Sequence, residues 1–237
     1  MKGVIAILDR LGTKGIWQRE NPEDIISKWN FVMKIYDSAY KVIAEQRKYK
    51  PKIFTFSDTV ILVFESDNIK RDLEDIGMDL ANFLVVSLLH GMFFRGCVSA
   101  GEFYVGDNIV IGKPVDEAAE YHTMSQWIGV SVSPSLFNIL YKMKEEEWTK
   151  MGPLKPFIKY KIPLKSGIES GYAVNFPACF SSIGKSIAEA CKVTLPNSLE
   201  EFFEQELENV TGIDVSLKIR NTINFIQYSQ KLISHES

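Results

Sequence analysis

Hydrophobic positions in the first quarter of the chain change from a short continuous run to helical spacing and back. The run Gly3–Leu8 is rich in valine and isoleucine, which predicts a buried strand. After the helix-start signal Asn21-Pro22, apolar residues recur every three or four positions and predict an amphipathic helix of about six turns. The β-rich runs Ile53–Phe56 and Val60–Phe64 then predict a hairpin with Asp58 at its tip.

A second helix and strand follow the predicted hairpin. Apolar spacing over Leu73–Ser87 predicts the helix, and Met92–Gly101 predicts a strand whose small residues allow close approach. A further strand at about Asn108–Ile111 is expected to pair nearby. The order β-α-β-β-α-β is that of split ferredoxin-like sheets, so the sequence predicts an α+β fold with a ferredoxin-like core.

The rest of the chain predicts extra strands and helices after this core. We expect helices at 114–124 and 134–144, strands at 128–132, 157–162 and 172–175, and a mainly helical tail at 199–232. No low-complexity linker divides the chain, so the tail is expected to pack on the same domain.

Composition argues against several partners and locations. The 237 residues include 27 Lys+Arg and 30 Asp+Glu, and a formal net charge of -3 gives no general attraction to nucleic acid or anionic lipid. No apolar run reaches membrane-spanning length, and Asp9-Arg10 interrupts the apolar start before it reaches the length of a signal-peptide core. The three cysteines lack the spacing of a zinc site or a disulfide framework. We therefore expect a cytoplasmic protein with no membrane and no stable nucleic-acid partner.

Two aspartates, Asp9 and Asp58, carry the strongest chemical signal. Each lies at the end or turn of an apolar strand, and in a split βαβ sheet the first strand lies beside the hairpin, so the carboxylates are expected to converge. Convergent carboxylates form an oxygen-rich site suited to Mg²⁺ or Mn²⁺, and two such ions can activate a hydroxyl and stabilise a triphosphate. The alternative for each residue alone is a structural turn aspartate, whose side chain bonds to nearby backbone groups.

The loop after Asp9 and a later arginine are candidate phosphate contacts. Gly12, Thr13 and Lys14 lead into a helix, so their backbone N–H groups can receive phosphate oxygens beside a metal. Arg95 precedes the small-residue strand and places a permanent cation on the same sheet. The alternative for Arg95 is a salt bridge at the start of its strand.

Four segments, taken together in chain order, resemble the catalytic domain of class III nucleotidyl cyclases. They are Asp9-x-x-Gly12, Lys52–Asp58, Arg95-x5-Gly101 and Gly112–Ala119. The resemblance covers roughly residues 3–176. It implies a cyclase-like catalytic domain at 1–176 and a mainly helical C-terminal extension at 177–237.

This resemblance implies a role for each candidate residue. Two divalent metal ions, Mn²⁺ or Mg²⁺, would be held by Asp9, Asp58 and the backbone carbonyl of Arg10. The triphosphate would be bound by Gly12, Thr13 and Lys14, with Arg95 contacting its phosphates. Each active site of that family lies across a head-to-tail homodimer, so a lone chain is expected to be nearly inactive.

The base-reading positions depart from the pattern of the purine cyclases. Phe54 stands where those enzymes carry a lysine in a K-I-K-T-x-G-D run, and Ile109 stands where they carry an acid. A pocket with these two side chains cannot pair with the edge of adenine or guanine in the usual way, but it can stack a smaller base.

The helix that holds the ribose and the transition state also departs from the family. In the V-N-x-A-A-R segment, Asp116 replaces the ribose-orienting asparagine and Glu120 replaces the arginine that stabilises the transition state. These changes imply either lost activity or a different subfamily. Lys159 and Lys161 lie on the late strand where cyclases keep a phosphate lysine, and we take Lys161 as the substrate contact.

The combination of D-x-x-G, the Phe56-Ser57-Asp58 turn and the strand opening Arg95-Gly96 is most similar to the bacterial pyrimidine cyclases of the Pycsar antiphage systems. That resemblance implies conversion of UTP or CTP to the 3′,5′-cyclic monophosphate and pyrophosphate, as a second messenger after phage infection. The alternative is a catalytically inactive cyclase-like module that binds a nucleotide or signals by dimerisation.

Overall fold

A computed structural model describes residues 1–44, 51–143 and 155–236. The strands are β1 (Lys2–Arg10), β2 (Lys52–Phe56), β3 (Thr59–Glu65), β4 (Phe94–Glu102), β5 (Tyr104–Val105), β6 (Val110–Ile111), β7 (Gly129–Val132), β8 (Phe157–Leu164) and β9 (Gly167–Val174). The helices are α1 (Ile16–Arg19), α2 (Pro22–Ala44), α3 (Ile69–Leu89), α4 (Lys113–Met124), α5 (Pro134–Lys142), α6 (Phe176–Cys191), α7 (Leu199–Glu208) and α8 (Ile213–Glu236).

Seven of these strands form one sheet in the order β2-β3-β1-β4-β7-β9-β8. Strand β1 lies between β3 and β4 and is antiparallel to both, while β4 and β7 are parallel. The first four strands in this order have the ferredoxin-like arrangement, with β7, β9 and β8 added beyond β4. The predicted fold class is therefore confirmed.

Most predicted elements are present, and the differences lie in the connections. The segment Asn108–Ile111 does not join the main sheet, because its strand β6 pairs only with β5 in a separate small hairpin. The helix predicted to end at residue 144 is helical to Lys142, and residue 144 lies outside the described residues. The predicted boundary between catalytic domain and extension falls in the first turn of α6, which packs against α3.

The two faces of β1 pack against different partners. Val4, Ala6 and Leu8 belong to the large core that also contains residues of α3 and α6. Ile5 and Ile7 face the other way and pack with Cys97 and Ala118, in the cluster beneath α4. Because side chains alternate along a strand, Asp9 projects on the α4 side with Ile5 and Ile7.

A glycine keeps β1 and β4 close at the end of the sheet that bears Asp9. A Cβ atom at Gly96 would lie 2.4 Å from Cδ2 of Leu8 and 2.6 Å from the carbonyl oxygen of Ile7. Only glycine fits without displacing the β1 backbone, and this close pairing fixes the neighbouring Arg95 opposite Asp9.

The last helix is bonded to the segment that leads into β7. The Thr222 hydroxyl accepts from the Ile128 N–H at 2.8 Å, and the Asn221 side-chain amide donates to the Gln126 carbonyl at 2.7 Å. These bonds place α8 beside the end of the sheet near Arg95, whose guanidinium donates to the Ser125 carbonyl at 3.5 Å. Within the described ranges, no helix has the length and hydropathy needed to cross a membrane.

Candidate active site

Asp9 and Arg95 face each other across neighbouring strands. They are partners in the β1–β4 register, Oδ2 of Asp9 accepts from Nε of Arg95 at 3.1 Å, and Nη2 forms an ion pair with the same oxygen at 3.0 Å. Both side chains are mostly buried, at 19% and 16% exposed. The salt bridge weighed for Arg95 from the sequence is thus present, and its partner is the first candidate metal carboxylate.

Asp58 lies beside Asp9 because the β2–β3 turn packs against the end of β1. The Arg10 N–H donates to the Asp58 carbonyl at 2.9 Å, and Asp9 pairs with Thr59 in the strand register. The turn needs a left-handed backbone at Ser57, whose φ is 56°. The Asp58 carboxylate accepts a 2.6 Å hydrogen bond from the Thr13 hydroxyl, so the loop after β1 closes over it.

The loop from Leu11 to Gly15 presents free amides. Glycines at both bends have positive φ, 80° at Gly12 and 72° at Gly15. One guanidinium nitrogen of Arg19 donates to the carbonyls of Gly12 and Lys14 at 3.0 Å each, which fixes the loop. Among the described residues, the N–H groups of residues 12, 13 and 14 donate to no protein acceptor, as a phosphate-binding loop requires. This role of Arg19 was not predicted, because nothing in the neighbouring sequence indicates that its side chain binds the loop.

Arg10 adds a buried cation that the sequence analysis missed. Only 5% of the residue is exposed, and its Nε and Nη1 find no hydrogen-bond acceptor among the described residues. Its guanidinium lies 5.8 Å from the Trp29 ring centroid. Burial lowers the pKa of Arg10, and the negative charges of Glu20 and Asp58 oppose that shift. Strand alternation after Asp9 is the signal that could have placed this side chain inside.

The donor set around Asp58 fits a small hard cation. Oδ2 of Asp58 and the carbonyl oxygen of Arg10 both lie within reach of one atom, Oγ1 of Thr13, at 2.6 Å and 3.5 Å. Two oxygen acceptors of the kind that Mg²⁺ and Mn²⁺ prefer therefore lie around the Thr13 hydroxyl, with Asp9 at the adjoining end of β1. The described residues contain no cluster of three or more metal-ligating side chains, so other ligands would have to come from backbone, water or substrate.

The predicted base-reading and ribose residues lie in or next to the segments that form the cluster beneath α4. Phe54 is half-buried and packs against the cluster beneath α4. Val110, which follows Ile109, and Val115, which precedes Asp116, pack against the same cluster. Ile109 is 52% exposed, and Asp116 and Glu120 are exposed on α4.

The start of α4 lies at the far end of β4 from Asp9 and Asp58. The carbonyl of Pro114 accepts from the Ser99 hydroxyl, and four strand residues, about 13 Å, separate Ser99 from Arg95. Within one chain, Asp116 is therefore not beside the Asp9 carboxylate.

Lys159 and Lys161 lie on β8, at the opposite edge of the sheet from Phe54 on β2. Both are exposed on the edge strand β8, which is four strand spacings, about 19 Å, from β1. The structure thus brings together Asp9, Asp58, Arg95 and the loop, and separately Phe54 with the start of α4, but it places Lys161 with neither group.

Comparison with known proteins identifies the fold. No protein-family model and no curated protein sequence matches the chain. The adenylyl cyclase CyaB from P. aeruginosa is similar with a TM-score of 0.50 and 13% identity, covering 72% of this chain and 92% of CyaB. The GTP-bound guanylate cyclase domain of RhGC from Catenaria anguillulae has a TM-score of 0.45 and 14% identity, covering 72% and 94%. The dimeric guanylyl cyclase domain of RhoGC from Blastocladiella emersonii has a TM-score of 0.48 and 14% identity, covering 72% of this chain and 92% of that domain. The likeness to CyaB shows that the chain has the fold of class III nucleotidyl cyclase catalytic domains.

Proposed function

We propose that the protein is a metal-dependent nucleotide cyclase. The observation that carries this proposal is that Asp9 and Asp58 lie at adjoining strand ends, beside Arg95 and beside a loop whose three amides meet no acceptor among the described residues. A module that only binds a partner protein has no need of two adjacent metal-type carboxylates.

Asp9, Asp58 and the carbonyl of Arg10 would hold the metal ions. When bound, such ions neutralise phosphate charge and favour loss of the hydroxyl proton. The ribose 3′-oxygen attacks the α-phosphorus, the bond to the β-phosphate breaks, and pyrophosphate leaves. A carboxylate oxygen of Asp9 or Asp58 accepts the 3′-hydroxyl proton, and the loop amides with Arg95 stabilise the charge that develops on the phosphates.

Substrate binding requires Arg95 to change partners. In this structure Nε and Nη2 of Arg95 contact one oxygen of Asp9, while Nη1 donates to the Ser125 carbonyl. The Arg95 guanidinium would be repelled by a cation held at Asp9 and attracted by a triphosphate held in the loop. Arg95 therefore moves from Asp9 to phosphate as the site fills.

The substrate base in this proposal is a pyrimidine. Phe54 and Ile109 offer apolar surface and no hydrogen-bonding group to a purine edge, whereas a uracil or cytosine ring stacks on them. The product is then cyclic UMP or cyclic CMP, and the similarity to Pycsar enzymes supports a role as an antiphage second messenger in the cytoplasm.

The working unit in this proposal is a homodimer. The base and the α-phosphate of one nucleotide are joined through a single ribose, yet Asp116 and Asp9 lie at different ends of β4 in one chain. A head-to-tail pair can supply the metal carboxylates from one chain and the base and ribose contacts from the other.

A second candidate function is an inactive nucleotide-binding or dimerising module. The side chains of Asp116 and Glu120 favour it, because neither supplies the amide or the cation found at these positions in purine cyclases. Retention of the Asp9–Asp58 pair favours the enzyme.

The two functions are separated by the Asp58→Ala variant, assayed for pyrophosphate release from UTP and CTP with Mn²⁺. We expect complete loss of release with an unchanged circular dichroism spectrum, while Asp67→Ala, at an exposed turn aspartate, retains full activity. Retained activity in Asp58→Ala would contradict the assignment of Asp58 as a metal ligand. Phe54→Lys should lower turnover of pyrimidine nucleotides, and unchanged turnover would remove residue 54 from the base pocket.

A further inference from the structure

A groove of about 620 Å³ runs along the edge strand β8, between α5 and α8. Its volume falls within the range of small-molecule sites, roughly 300–1,000 Å³. Its lining combines rings and cations, namely Tyr141, Tyr160, Tyr228, Lys159 and Lys161. Pockets of this composition bind molecules that have a flat apolar part and a negative charge.

The two lysines supply positive charge that forms no ion pair with a carboxylate in the described part of the chain. Lys159 and Lys161 are two residues apart on β8, so they project from the same side of the strand. The Lys159 ammonium lies 5.9 Å from the Tyr172 ring centroid, which holds it near the groove without cancelling its charge.

The rings are held in place before any ligand binds. Tyr160 stacks on the buried Trp127 at 5.8 Å with an interplanar angle of 27°, and it contacts Phe225 at 4.9 Å. Tyr228 lies 5.3 Å from Tyr160 and is 37% exposed, while Tyr141 is 67% exposed. Ligand stacking on such rings costs little conformational entropy.

We propose that this groove binds a nucleoside monophosphate or a closely similar aromatic phosphate, at a site separate from Asp9 and Asp58. The base stacks on the tyrosines and the phosphate lies against Lys159 and Lys161. The separation of about 19 Å between β8 and β1 keeps this ligand away from the two carboxylates of the same chain. The site needs no metal ion, and it gives Lys161 a role other than the one predicted from the sequence. The proposal does not depend on cyclase activity.

The test is calorimetric titration of the full-length protein with AMP in EDTA, beside adenosine and inorganic phosphate. EDTA disables a metal-dependent site, so binding reports on the groove. We expect one AMP per chain, with adenosine and phosphate each weaker by about tenfold or more. The double variant Lys159→Met/Lys161→Met and the single variant Tyr228→Ala should each weaken AMP binding by about tenfold.

Two control variants locate the binding site. Lys165→Met removes an exposed lysine of the same β8–β9 hairpin that does not line the groove, and Asp58→Asn alters the proposed metal site. Both should bind AMP as the wild type does. The proposal is overturned if folded wild type binds no AMP in EDTA, if phosphate binds as tightly as AMP, or if Asp58→Asn abolishes binding that the lysine variant retains. Absence of cyclase activity alone contradicts the proposed function and leaves the groove intact.

Discussion

Removing the Asp9–Arg95 ion pair should change stability in a way that depends on metal. Fully exposed pairs couple by about 0.2–1 kcal/mol, whereas close charge pairs shielded from water reach about 1.5 kcal/mol and more. With two contacts of 3.0 and 3.1 Å and side chains under one-fifth exposed, we expect about 1.5 kcal/mol of coupling. For a chain of this size that corresponds to roughly 3–6 °C in Tm.

The coupling is measured with a double-mutant cycle of Asp9→Asn and Arg95→Gln, by urea unfolding in EDTA and again in Mn²⁺ with excess pyrophosphate. In the second condition a cation engages Asp9 and a phosphate engages Arg95, so the coupling should fall below about 0.5 kcal/mol. The Lys2–Glu102 pair is the matched control, since its side chains are 64% and 75% exposed and its separation is 3.4 Å. Its coupling should be small and independent of Mn²⁺.

Two results would contradict the proposed exchange of partners by Asp9 and Arg95. Coupling near zero in EDTA would mean that the pair does not form in solution. Equal coupling in both conditions would mean that neither metal nor phosphate competes for Asp9 and Arg95, and the exchange step would have to be abandoned.

Three further predictions concern packing, thiols and the loop. Gly96→Ala should lower the free energy of unfolding by about 1–3 kcal/mol, whereas Gly101→Ala on the same strand, whose Cβ would have only a 3.4 Å contact, should change it by less than about 0.5 kcal/mol. Burial raises the pKa of Cys179 to about 12, so at pH 8 native protein should resist iodoacetamide and urea-unfolded protein should be alkylated at Cys97, Cys179 and Cys191; fast native labelling would contradict this. Arg19→Met should raise the KM for nucleotide about tenfold, because Arg19 holds the loop carbonyls. The exposed control Arg220→Met should leave the KM unchanged. An unchanged KM in Arg19→Met would show that the loop does not need these hydrogen bonds.

The sequence was sufficient to predict the order of elements in the core and the position of the Asp58 turn beside the end of β1. Both follow from the alternation of apolar runs, since a split βαβ order places the first strand beside the hairpin. The two charged residues that pair across β1 and β4 could not be predicted, because register depends on close packing at Gly96. A strand was predicted where β6 lies, but its pairing with β5 in a separate hairpin was not, since a two-residue strand such as β5 carries almost no periodicity.

Contacts within the site depend on tertiary packing and were predicted least well. Nothing in the sequence indicates that the Thr13 hydroxyl bonds to the Asp58 carboxylate or that Arg19 binds the loop carbonyls. The placement of Lys161 on an edge strand four spacings from β1 likewise depends on the sheet order beyond the ferredoxin-like core. Motif spacing therefore predicts which carboxylates are candidates for metal binding, but it does not predict the hydrogen bonds and ion pairs around them.

The identity of the reaction product decides whether the protein is a pyrimidine nucleotide cyclase. The purified protein is incubated with Mn²⁺ and each of ATP, GTP, CTP and UTP, and the products are separated by chromatography and compared with authentic cyclic nucleotides. The account predicts cyclic UMP or cyclic CMP with stoichiometric pyrophosphate, and no product from ATP or GTP. No cyclic product from any of the four, with protein shown to be folded and dimeric, would contradict it.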